Sequence, residues 1–92
     1  MSGARTRAGY GWGMTPAQCR AARGLLNWTQ KDLARRSGVT INSIRTFEAG
    51  KTTPIRNNMA ALVGALEQSG AMLVPEDDGA GPGVRLRKGA VA

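Results

Sequence analysis

Residues 30–47, QKDLARRSGVTINSIRTF, constrain the fold more than any other stretch of this chain. Leu33 and Ala34 close one apolar stripe, and Val39, Ile44 and Phe47 resume it beyond a break at Gly38. Apolar residues recurring at i, i+3 and i+4 mark helices with one buried face. The break at glycine divides two short helices, because glycine accepts φ > 0 without steric cost and can make the tight turn between them. A small residue at Ala34 lets the helices cross closely. Ile44 and Phe47 then anchor the second one at i, i+3 spacing, leaving its polar side chains free to project outward.

The flanking segments obey the same local chemistry. Thr15-Pro16-Ala17-Gln18 is a capping-box pattern with proline at the first helical position. Thr29 through Asp32 repeats the theme, and Thr40 caps a third helix. The expected helices cover Pro16–Leu26, Gln30–Ser37 and residues 41–49, the last stopped by Gly50. The first should bury Cys19, Ala22 and either Leu25 or Leu26. A turn-like GKTTPIRN follows, in which Pro54 cannot continue a helix. Met59, Leu62, Val63 and Leu66 give the stripe of a fourth helix, with Asn57 as expected N-cap and Gly70 just past its end. Residues 71–75 and 83–88 are β-capable runs around the acidic, glycine-rich turn 76–82, and Val84 and Leu86 alternate with Arg85 and Arg87. A lone hairpin is marginal in water, so it must fold back on the helices or pair with the same hairpin of a second subunit.

The expected fold class is mainly α: four helices with a short C-terminal β-hairpin. Residues 1–13 read as a flexible basic tail, with a minor-groove arm as the alternative. Residues 14–70 are the helical domain, and residues 71–92 a hairpin and tail that could serve dimerisation. Ninety-two residues build only a modest core, which a partner subunit would help stabilise.

Thirteen Lys and Arg against six Asp and Glu give a formal charge of +7, which favours a polyanionic partner. Ten of the cations are arginine, suited to bidentate phosphate and guanine contacts. No apolar run approaches the ~18–20 residues needed to span a bilayer, and the start lacks the apolar core of a secretory signal. The chain reads as cytoplasmic. One cysteine and no histidine leave neither a disulfide nor the usual metal and general-base chemistry, so no cofactor, metal or small-molecule ligand is expected. Nor is an enzyme: carboxylates are few, and Glu76, Asp77 and Asp78 sit together in a solubilising turn. Single-strand RNA readers use stacking aromatics that are scarce here.

From about Met14 to Gly70 the chain resembles the Cro/repressor-type helix-turn-helix proteins, the XRE family with the lambda repressor-like fold. The matching run is RAARGLLNWTQKDLARRSGVTINSIRTFEAGKTTP, marked by Arg23, Thr29-Gln30, Leu33-Ala34, Gly38-Val39, Ile44, Glu48 and Gly50. The resemblance implies a compact bundle of four or five helices that binds double-stranded DNA sequence-specifically, usually as a dimer on a two-fold symmetric operator. It also implies that Arg23 bridges to Glu48 and that Gln30 contacts the DNA backbone. The C-terminal hairpin departs from it, since many members place a fifth helix there, so the mode of dimerisation does not carry over.

In such a module the N-terminal half of the third helix enters the major groove. Ile41, Asn42, Arg45 and Thr46 then lie nearest base edges. Asn42 can pair bidentately with adenine and Arg45 with guanine, while Ile41 and the Thr46 methyl can meet a thymine methyl. Ile41 could instead join the core, and Arg45 could contact phosphate or a surface acid. Gln30, Thr40, Ser43, Lys51 and Arg56 are the expected phosphate contacts. Arg35 and Arg36 read as solvated charges, Trp28 as a packing residue, and Cys19 as a small core hydrophobe. Two functions remain open. The first is a transcriptional regulator, a repressor acting as a homodimer on an inverted repeat. The second is a protein-interaction module, an antitoxin or antiactivator using the same fold without specific DNA readout.

Overall fold

The computed structural model describes residues 13–90, so nearly all of the expected basic tail lies outside the described residues. Four helices come first: α1 (Pro16–Leu26), α2 (Gln30–Ser37), α3 (Ile41–Glu48) and α4 (Arg56–Gln68). An antiparallel pair follows, β1 (Ala71–Val74) and β2 (Gly83–Leu86). The fold is mainly helical with one small hairpin, as the sequence predicts.

Three of the four helix starts are fixed by threonine. The Thr15 hydroxyl accepts from the Gln18 amide at 3.0 Å, and the Gln18 side chain returns the bond to the Thr15 amide. Thr29 and Asp32 repeat this reciprocal box at α2. Thr40 takes the Ser43 amide at 3.2 Å. Each cap satisfies an N–H that the helix itself leaves free.

The fourth start differs from expectation. Asn57 is not the N-cap; the helix begins at Arg56, and Ile55 occupies the cap position with no side-chain bond. Ile55 is extended directly after Pro54, and its carbonyl already accepts the Met59 amide at 2.9 Å. Burial of Met59, Leu62, Val63 and Leu66 sets the helix register here, overriding the local preference of asparagine for the cap. The third helix also ends one residue early, with Ala49 as its C-cap.

The core gathers Met14, Cys19, Ala22, Leu26, Leu33, Val39, Ile44, Phe47 and the α4 stripe. Of the two candidates on α1, Leu26 is buried and Leu25 exposed. The hairpin folds back on the helices: Ala71 is buried, while Leu73, Val84 and Leu86 pack half-buried against the same cluster. Gln18 fastens it there. Its side chain is buried, and its amide nitrogen donates to the Val74 carbonyl at 3.2 Å and the Gly83 carbonyl at 2.9 Å. At the other end the Arg87 guanidinium reaches the Glu67 carbonyl. Among the described residues, no helix is long and apolar enough to cross a membrane.

Candidate nucleic-acid interface

The α2–α3 unit is held from below by one carboxylate. Glu48, at the last turn of α3, is buried, yet its two oxygens accept four side-chain hydrogen bonds. Arg23 reaches it with both arms, Nε to Oε2 at 2.7 Å and Nη2 to Oε1 at 2.6 Å. The Gln30 amide adds a bond to Oε1 at 3.0 Å, and the Cys19 thiol one to Oε2 at 3.1 Å. The Arg20 guanidinium takes the Glu48 backbone carbonyl. Burial pushes the carboxyl pKa up, but the bonds from Arg23, Gln30 and Cys19, with the Arg23 charge, outweigh it and hold the group below its ordinary value. The bond to Glu48 correspondingly raises Arg23. Burial, reinforced by that carboxylate, pushes the Cys19 thiol far up, so it is no nucleophile.

This hub ties the first turn of α2, the last turn of α3 and the middle of α1 to one point. The Arg23–Glu48 bridge that the resemblance implies is present. The parts played by Cys19 and Arg20 escaped sequence reasoning, as did the Gln30 bond to the same carboxylate. Arg23 also donates to the Trp28 carbonyl at 3.0 Å, closing the corner between α1 and α2. Trp28 packs on the core as expected. Arg36 is less free than a solvated charge, since its guanidinium carbon lies 4.7 Å from the centre of the Trp28 ring. Arg35 pairs with Asp32 at 2.9 Å.

The outer side of α3 has the opposite character. Asn42 and Arg45 are exposed, three residues apart on one face, and neither has a polar partner among the described residues. Ile41 is half-buried and stands outside the buried cluster. The Thr46 hydroxyl donates to the Ser43 carbonyl at 3.2 Å and lies 2.9 Å from the Thr52 hydroxyl, which leaves its methyl as the group it can offer. Thr40 donates its hydroxyl proton to Ser43 Oγ at 3.0 Å, so the Ser43 hydroxyl keeps a proton for an outside acceptor.

The exit from α3 is equally fixed. Gly50 has φ +80°, its amide bonds the Phe47 carbonyl at 2.8 Å, and the Lys51 amide bonds the Thr46 carbonyl at 2.9 Å. This paired arrangement ends the helix and aims the chain. Lys51 is thus anchored by its own backbone, with its side chain exposed, and Arg56 stands exposed at the start of α4. Gln30 keeps its second amide proton beyond the bond to Glu48. The α2 N-terminus itself already carries Asp32, whose carboxyl is lowered by the backbone and hydroxyl of Thr29 and then by Arg35. Among the described residues, no three His, Cys, Asp or Glu side chains come together as metal ligands.

Comparison with curated proteins gave no match. The helix-turn-helix family profile matches residues 20–70, which contain every hub residue but Cys19 and all of α2 and α3. The chain therefore belongs to the Cro/repressor-type, XRE-family helix-turn-helix proteins, and is a DNA-binding regulator of that type.

Proposed function

We propose that this regulator is a repressor that binds an inverted repeat as a homodimer, with the N-terminal half of α3 in the major groove. The contrast between the two sides of α3 carries the reading: Ile44, Phe47 and Glu48 are buried and bonded, while Asn42 and Arg45 stand outside with their hydrogen-bonding groups unspent. Asn42 reads adenine and Arg45 guanine, and Ile41 and the Thr46 methyl lie against thymine. Gln30, the Thr40–Ser43 hydroxyl pair, Lys51 and Arg56 hold the phosphates on either side. At α2 the phosphate contact falls to the Gln30 amide, because Asp32 occupies the helix end.

Selection of bound fragments from genomic DNA tests this. The expected product is an inverted repeat whose half-sites lie about one helical turn, roughly 34–36 Å, or a multiple of it apart. Two protomers should occupy each site, and transcription from an overlapping promoter should fall. Enrichment of single half-sites would remove the dimer, and a rise in transcription would remove the repressor.

A further inference from the structure

Among the described residues β1 has β2 on one side and no strand on the other. The bond from the Arg87 amide to the Gly70 carbonyl fixes the phase of the ladder. With the observed register, Met72/Arg85 and Val74/Gly83 are mutually bonded pairs, and the N–H and C=O groups of Ala71 and Leu73 point away from β2. No backbone group takes them among the described residues. Free edges are normally guarded by charge or proline. β2 and its continuation carry Arg85, Arg87 and Lys88, whereas β1 reads AMLV and carries no charge. Its outward side chain, Met72, is 44 % exposed.

We propose that a second copy of this chain completes the edge, β1 running antiparallel to β1 across a two-fold axis at Met72, so that two hairpins form one four-stranded sheet. The inference rests on the homodimer reading and supplies its interface. On that axis Ala71 of each copy faces Leu73 of the other, and the groups left free in the single chain bond each other. Met72 meets its copy as a non-bonded pair, the closer kind, which covers both exposed thioethers. Charge selects the same arrangement. Glu76, Asp77 and Asp78, three of the six acids in the chain, follow β1 in the turn, while Arg87 and Lys88 lie at the open end of the hairpin, with Glu67 beside them. Antiparallel pairing carries the acidic turn of each copy toward the basic open end of the other. Parallel pairing sets like charges together.

Cysteine cross-linking of the full chain without DNA tests the geometry, with the buried Cys19 as a silent background. A non-bonded pair has Cα atoms about 4.5 Å apart, within disulfide reach. Position 85 is separated from its copy by three strand spacings, roughly 14 Å. Under mild oxidation Met72→Cys should form a disulfide dimer at least about tenfold faster than Arg85→Cys. Met72→Lys, which sets two new cations beside two Arg85 side chains, should weaken the dimer at least about tenfold in sedimentation while its helical circular dichroism is unchanged. Equal cross-linking at both positions, a persistent Met72→Lys dimer, or a wild-type monomer at high concentration would each overturn the proposal. Binding of Met72→Lys to a half-site duplex separates the two readings. If it binds there with the wild-type dimer formed elsewhere, only the interface is wrong; if wild type and variant both ignore every duplex, the operator reading fails as well.

Discussion

The two sides of α3 are built from the same eight-residue helix and could hardly differ more. Inward, Ile44 and Phe47 are fully buried and Glu48 accepts four side-chain bonds. Outward, Asn42 and Arg45 meet no polar partner among the described residues. An interior that spends every hydrogen bond fixes the helix in place, so the exterior can keep its own in reserve for a ligand. Positioning and recognition are thus divided between faces, and substitutions on each should be distinguishable by what they change.

The largest effect belongs inside. Arg23→Met removes the bidentate partner and strands a buried carboxylate, a change that typically costs about 3–5 kcal/mol. Urea unfolding at neutral pH measures it. The pH dependence sharpens the assignment. Glu48 lies below its ordinary value in the folded protein, so its contribution is present above the unfolded value near ~4.3 and is lost as pH falls through the folded one. In Arg23→Met the carboxylate loses the largest of the contributions that together outweigh its burial, so the stability deficit should shrink on acidification toward pH 4. A deficit independent of pH would mean that Arg23 stabilises by packing its stem, not by pairing Glu48.

Outside, the effect moves from stability to binding. Asn42→Ala and Arg45→Ala should each cost about 1–3 kcal/mol on the selected operator and leave binding to random duplex nearly unchanged. Melting temperatures should stay close to wild type, since neither side chain is buried. Equal losses on operator and random duplex would convert both residues into phosphate contacts. A loss of folding would break the division between the faces altogether.

What the sequence made legible follows the range of the interactions. The starts of α1, α2 and α3 could be read because Thr15, Thr29 and Thr40 bond amides only three residues away. The start of α4 could not, because packing of Met59 and Leu62 decides it and Ile55 carries no capping group. Gln18 was visible as a cap, but its carbonyl partners lie 56 and 65 residues further along the chain, and no periodicity announces them. At the hub, resemblance supplied Arg23 and Glu48. The bond from Gln30 required knowing that the first turn of α2 abuts the last turn of α3. The outer face was legible as a face because periodicity places Asn42 and Arg45 opposite Ile44 and Phe47; which bases they meet is written in the operator rather than the chain.

The smallest effect concerns Lys51, which belongs to neither face. Its amide is held by the Thr46 carbonyl in the turn that ends α3, so its backbone position is as fixed as the helix while its side chain remains exposed. A cation held there neutralises a phosphate and releases a counterion, which lowers affinity as salt rises without reading a base. Lys51→Ala should weaken operator and random duplex alike, and the slope of log affinity against log salt should flatten by about 0.9. Arg45→Ala provides the contrast, since a bidentate guanine contact should leave the slope nearly unchanged. If instead Arg45→Ala flattens the slope and Lys51→Ala does not, the phosphate contact lies on the helix and the turn after it points away from DNA.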